Sequence, residues 1–167
     1  MGFPANCTFP LTKTHTAEAM LVHDLTRHDC IEFLTRKRLG RLGCARDGQP
    51  YITPFFFAFE ADALYSFSTH GQKIAWMRSN PLVCVETDDI ETPQKWTSVV
   101  VFGRYEELPD TPEFEASRRS AYALLQQRPQ WWEPGYVRTV LHGAERPLEL
   151  VYFRIQIGAV SGHRAMP

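Results

Sequence analysis

No C-x-x-C pair occurs in this chain of 167 residues. Its four cysteines, Cys7, Cys30, Cys44 and Cys84, are widely spaced. That spacing argues against a zinc site or a disulfide framework and predicts free thiols in a reducing compartment. No apolar run approaches the roughly 20 residues that cross a bilayer. The N-terminus lacks a basic stretch followed by an apolar one, so no secretory leader is expected. The expected location is cytoplasmic, with no membrane partner. Charge of one sign is also missing: 18 Lys and Arg face 19 Asp and Glu, a net charge of -1. A nucleic-acid surface built on bulk positive charge is therefore not expected. There is no G-x-G-x-x-G after a strand, no Walker loop and no local Ser-His-Asp signature. His23, His28, His142 and His163 follow no metal-ligand spacing, so no metal site is expected. Repeats and low-complexity tracts are absent.

What is present is a core. Apolar residues make up 44% of the chain and aromatics 13%, with eleven Phe and four Trp. Such a length suits one domain. Residues 1–20 have little periodicity and read as an N-terminal arm. A helix is expected from Thr26, capped by Thr26 with Asp29 in its first turn and closed by Gly40. Arg41–Ala45 reads as the first strand, and Asp47-Gly48 as a hairpin turn. A second strand, Tyr51–Phe59, contains Pro54, which cannot donate to a ladder and marks an edge or a bulge. Ala63–Ser68 is the third strand. A short helix, Gly71–Ser79, presents Ile74 and Met77 and stops before Pro81.

Further along, Leu82–Thr87 is a strand, Asp88–Lys95 a polar loop, and Trp96–Leu108 a strand. A helix is expected from Thr111-Pro112-Glu113 to about Gln127, with Phe114, Ala121 and Leu125 on one side. Pro129–Gly143 is less regular, and Trp131 and Trp132 in it read as packing or dimer-contact residues, or as a lid over a substrate. The last strand is Leu148–Ile157, followed by a tail from Gly158. The fold class is mainly β (α+β): an antiparallel barrel with peripheral helices.

The chemistry points to Ser66-Phe67-Ser68-Thr69-His70-Gly71-Gln72-Lys73. Hydroxyls, a glycine and a lysine meet at a helix N-terminus, where backbone N–H groups and the dipole favour an anion. The same dipole disfavours a first-turn lysine unless something negative sits beside it. A phosphate resolves the conflict. The plainer readings are a solvated Lys73 lying past Trp76, and Ser68 or Thr69 capping the helix. Thr53-Pro54 reads as a strand edge that either is ordinary or meets a flat ligand. Trp96 covers a ligand or belongs to the barrel rim. Ser98 bonds a ligand or faces water. Arg41 and Arg154 pair with carboxylates or reach a phosphate.

Five segments, taken in order, carry a resemblance. They are Gly40-Arg41-Leu42-Gly43, Gly48–Pro54, Phe67–Ile74, Asn80-Pro81-Leu82-Val83-Cys84 and Trp96–Arg104. Over about residues 22–162 the chain resembles the pyridoxamine 5′-phosphate oxidase-like family, in its nitroimidazole-reductase-like branch. The resemblance implies a split β-barrel over residues 21–162, followed by a short tail at 163–167. It also implies a homodimer with FMN at the interface, with FAD, a deazaflavin or haem as lesser alternatives. By the same resemblance, Ile52, Thr53, Pro54 and Phe55 lie along the flavin ring. Phe67, Ser68, Thr69, Gln72 and Lys73 hold the phosphate, and Trp96 and Ser98 approach from the next strand. The function implied is FMN-dependent oxidation or reduction of a small molecule. The alternative, a flavin-binding or storage protein without turnover, uses the same contacts.

Overall fold

The computed structural model describes residues 20–127, 138–141, 144–147 and 149–167, the two short middle pieces by their backbone alone. The arm up to residue 19, Trp131, Trp132 and His142 lie outside the described residues. The order is β1 (Leu21–Asp24), α1 (Arg27–Arg36), β2 (Leu39–Arg46), β3 (Gln49–Phe56), β4 (Ala58–Glu60), β5 (Ala63–Thr69) and α2 (Gln72–Ser79). Then come β6 (Leu82–Thr92), β7 (Lys95–Glu107), α3 (Glu115–Gln126), β8 (Arg138–Leu141), β9 (Ala144–Pro147) and β10 (Leu150–Met166). The main sheet runs β3-β2-β6-β7-β10-β5-β4, with β1 on β10, and every pairing is antiparallel. No helix among the described residues is long and apolar enough to cross a membrane.

β4 follows β3 after Phe57 alone, yet β3 pairs with β2 and β4 with β5. One bent run of chain therefore joins the two ends of the sheet. At the bend the barrel is closed. Ser66 Oγ on β5 donates to the Phe56 carbonyl at 2.7 Å. Phe55, Phe57 and Phe153 stack beneath, with ring centroids 5.6 and 6.0 Å apart. Beyond the bend β3 and β5 part, because β3 has no second partner strand. This is an antiparallel split barrel.

Helix α2 seats against the β2–β3 side of the split. Ile74 and Met77 enter the core, and the edge of Trp76 meets Tyr51 at 5.7 Å. Arg78 donates from Nε and Nη2 to Glu107 on β7, at 2.8 and 2.7 Å. Tyr105 donates to the same carboxylate at 2.8 Å. Arg78 foremost holds that carboxyl below its ordinary range, and burial pushes the Tyr105 phenol up. Asn80 Nδ2 donates to the Ala45 carbonyl at 3.0 Å. On the other side of the barrel α3 buries Ala121 and Leu125 in a smaller cluster with Leu108 and Tyr152.

Local expectations fare unevenly. Thr26 and Asp29 form a reciprocal cap on α1. Asp47 and Gly48 both have positive φ, 51° and 79°, as a two-residue hairpin turn demands. Gly40, expected to close α1, lies instead in β2. A Cβ there would stand 2.6 Å from the Glu86 carbonyl oxygen, so glycine serves close strand approach. The expected loop from Asp88 is mostly strand, since polar residues there face outward and Asp88 pairs with Arg41. α3 starts at Glu115, after a tight turn in which the Phe114 N–H donates to the Thr111 carbonyl. The stretch expected to be irregular up to Gly143 contains β8, paired with β9. The tail expected from Gly158 is strand, paired with β7 and β1 up to Met166.

Candidate functional site

Lys73 sits in the first turn of α2. It is half-buried and makes no ion pair among the described residues. Burial depresses its pKa below the ordinary 10.5. Its charge reaches Cys44 on the inner side of β2, where burial pushes the thiol up more than the ammonium pulls it down. The cap residue of α2 is Gly71, which has no side chain to accept from the first-turn N–H groups. A cation with no carboxylate partner and an uncapped helix start therefore lie together, beside the end of β5. Both favour a bound anion.

The neighbouring β3 edge has a definite pattern. In a two-residue hairpin the turn-flanking pair, Arg46 and Gln49, is hydrogen-bonded, and such pairs alternate along the ladder. Tyr51, Thr53 and Phe55 thus turn their backbone groups to β2. Pro50, Ile52, Pro54 and Phe56 turn theirs to the open edge. Two of those four are prolines without an N–H. The edge offers the Ile52 N–H and carbonyl and the Pro54 carbonyl, while the Phe56 carbonyl is taken by Ser66. Pro54 accordingly stands on an edge strand, as the sequence suggested.

Among the residues singled out from sequence, the side chains of Ile52 and Pro54 are exposed on the outer face and Thr53 is half-buried on the inner one. Phe55 lies in the core, its side chain 1% exposed, and it pairs with Gly40 on β2. Phe67 packs its ring on Tyr152 at 5.9 Å. Ser68 is half-buried, and Thr69 and Gln72 are exposed around the helix start. Arg41 pairs with Asp88 and Glu86, and Arg154 with Glu106 at 2.6 Å, so both follow the carboxylate reading.

Trp96 stands apart from Ile52 along the sheet, and Ser98 less so. Gly43 pairs with Cys84 and Trp96 with Ile90. Those levels are six positions apart on β6, about 20 Å of strand at roughly 3.3 Å per residue. Ser98 Oγ donates to Glu86 Oε1 at 3.2 Å. That offset is from the Ile52 row to Trp96; Glu86 itself pairs with Arg41, which stands opposite Pro54. Sequence reading missed Ser66 as the bridge of the split, Cys44 beside Lys73, and Arg164. The first two face inward from strands, and no motif marks them.

The outer face of β3-β2-β6-β7 carries Leu39, Ile52, Phe56, Leu82, Ile90 and Phe102. Ile52 is 69% and Phe102 56% exposed. The Arg41–Glu86–Asp88 cluster lies on the same face, between Ile52 and Phe102 on one side and Leu39, Phe56 and Ile90 on the other.

Comparison with known proteins fits this architecture. The family model for pyridoxamine 5′-phosphate oxidase matches residues 26–164. An uncharacterized protein of Rhizobium meliloti is 39% identical over 146 residues, 87% of this chain and 97% of that protein. The crystal structure of a FAD-binding protein from Mesorhizobium loti superposes with a TM-score of 0.72 at 42% identity, covering 89% of this chain and all of that one. A Bacteroides thetaiotaomicron protein assigned to 5-nitroimidazole antibiotic resistance shares the fold at 17% identity. Its TM-score is 0.60, over 93% of this chain and 100% of that one. Sequence, barrel topology and the order of the motifs thus agree, and the chain belongs to the pyridoxamine 5′-phosphate oxidase family.

Proposed function

We propose that this protein binds FMN and acts as an FMN-dependent oxidoreductase on a small molecule. The observation that carries the reading is Lys73: a half-buried ammonium without a carboxylate partner among the described residues, at a helix start capped only by Gly71, beside an open strand edge. Lysine serves a phosphate as a point charge. Ser68, Thr69 and Gln72 add hydroxyl and amide donors around it. The Ile52 N–H and carbonyl suit one carbonyl oxygen and the N3–H of a flavin's pyrimidine edge. When bound, the flavin supplies the hydride chemistry, and the protein supplies position and electrostatics. The Mesorhizobium loti protein, FAD-binding by its description, supports a flavin and favours a second reading in which the longer nucleotide occupies the site.

The protein is also proposed to act as a homodimer. The apolar outer face suits a second copy, and Trp96 and Ser98 of that copy would complete a site that one chain leaves divided. Dimerisation and flavin binding are then thermodynamically linked. The visible spectrum of the purified protein, with mass spectrometry of the released cofactor, tests the reading. A flavin spectrum and the mass of FMN are expected. A colourless protein that takes up neither FMN nor FAD on titration overturns it, and released FAD selects the second reading. Stopped-flow reduction by NADH or NADPH separates an enzyme from a flavin carrier.

A further inference from the structure

The outer face of β3-β2-β6-β7 carries a pattern that matches its own reverse. Residues directly opposite in an antiparallel pair share a face, so the pairing lays out cross-strand rows. Ile52, Gly43, Cys84 and Phe102 form one row. Pro54, Arg41, Glu86 and Val100 form the next. From β3 to β7 the first row runs apolar, small, small, apolar. The second runs apolar, cation, anion, apolar. Between the levels of Leu82 and Ile90 this face carries the charges of Arg41, Arg104, Glu86 and Asp88, which sum to zero.

The central pair is unfinished. Arg41 makes both of its ion pairs through one nitrogen, Nη1: to Asp88, and to Glu86 Oε2 at 3.5 Å. Nε and Nη2 of that fork make no hydrogen bond among the described residues. Glu86 Oε1 accepts from Ser98 at 3.2 Å, and Oε2 has only the long contact. The two side chains are 52% and 36% exposed, so what they still lack can come from outside the chain. A guanidinium with donors to spare and a carboxylate with an acceptor to spare stand side by side, each able to complete the other's kind. A face without surplus charge, with Ile52 and Phe102 exposed at its two sides, suits another copy of itself better than a strongly charged partner.

We infer that two copies pack these faces about a two-fold axis between β2 and β6 and parallel to them, with Arg41 of each copy bridging to Glu86 of the other. Such an axis exchanges β3 with β7 and β2 with β6 without changing level. Ile52 then meets Phe102, Pro54 meets Val100, and a cation meets an anion twice. The strands of the two sheets stay nearly aligned, as is usual for sheets packed face to face. The inference rests on the homodimer proposed above and adds the charge pair by which the face selects its own copy. The same axis lays the second copy's β7 over the β3 edge where the flavin is proposed to lie.

The test is sedimentation equilibrium of the full chain as purified, with flavin content read separately by absorbance. The wild type is expected to be a dimer. Arg41→Glu and Glu86→Arg, each alone, set like charges across the axis twice and are expected to raise the dissociation constant about a hundredfold or more. An equimolar mixture of the two variants is expected to restore a dimer with one chain of each. In that mixed dimer both contacts across the axis join opposite charges, while the contact inside each chain stays broken, so the recovery reports the bridge between copies. A dimer that survives either reversal, or a mixture that stays dissociated, overturns the inference and leaves the homodimer reading standing. A wild type that stays monomeric overturns both, whatever its flavin content. If a reversed chain does not fold, Arg41→Gln takes its place and is expected to raise the dissociation constant about tenfold. Unchanged dissociation in that variant overturns the inference equally.

Discussion

The seam between the β3–β4 run and β5 is made in two ways along one short length of chain. At Phe56 it is shut: a buried serine spans it and three phenylalanine rings fill the space beneath. A few residues earlier, at Ile52–Pro54, the strands have parted. Prolines interrupt the edge there, and a lysine without a counter-ion among the described residues occupies the start of the neighbouring helix. The closed end is apolar and satisfied. The open end holds polar groups that its own fold leaves unmatched. Stability and ligand capacity are therefore assigned to different ends of the same seam, and substitutions at each end should move different observables.

The largest effect is expected at the closed end. Phe57→Ala removes a ring that is 1% exposed and should cost about 3–5 kcal/mol in denaturant unfolding. A loss below about 1 kcal/mol would mean that the stack does not hold the seam. At the open end, Lys73→Ala should weaken FMN by about 1.5–3 kcal/mol, read by titration, without lowering the stability of the apoprotein. If it unfolds the apoprotein while FMN still binds, the two ends are not divided as described. Ser66→Ala deletes only the bridging hydroxyl and leaves the Phe56 carbonyl buried, so it should cost about 1–2 kcal/mol.

Smaller still is Glu107→Gln, which loosens the clamp between α2 and β7. About 1 kcal/mol is expected. Arg78 and Tyr105 hold the Glu107 pKa below 4.5. Its contribution is therefore full above 4.5 and fades as pH falls through the folded value, so wild type and variant should converge in acid. Lys73 gives the subtlest signal and the opposite source. Burial lowers its pKa below 10.5, so the unfolded chain holds that proton more tightly. Apoprotein stability should rise as pH climbs from the folded value toward 10.5, and Lys73→Met should flatten that rise in thermal melts. A rise that survives the substitution belongs to another group.

How far the sequence discloses this division depends on which forces are local. The hairpin at Asp47-Gly48, the cap at Thr26 and the end of α2 at Pro81 are set by one or two residues, and they are readable. Lys73 is readable as a phosphate candidate because a basic first turn is itself a local conflict. Phe55 is not. In Phe55-Phe56-Phe57 no polar residue reports which way the pleat faces, and only the pairing with β2 decides it. The length of β10 is equally hidden. Gly158 and Gly162 suggest a tail, yet a Cβ at Gly162 would stand 2.8 Å from the Ser98 carbonyl oxygen, a crowding that arises only after distant strands meet. Arg164 sits seven residues past Ile157, the last strand position that periodicity supports, so its place beside Thr97 follows from the pairing with β7.

The alternation of Pro50 and Pro54 with Ile52 has a bearing on solubility as well as on binding. A strand approaching this margin from another molecule would find one amide hydrogen where regular augmentation calls for three. Growth into an extended aggregate is discouraged there, while a compact guest that needs only the one N–H and a neighbouring carbonyl meets no such obstacle. The rim is thus selective by what it withholds, admitting small molecules and turning away chains.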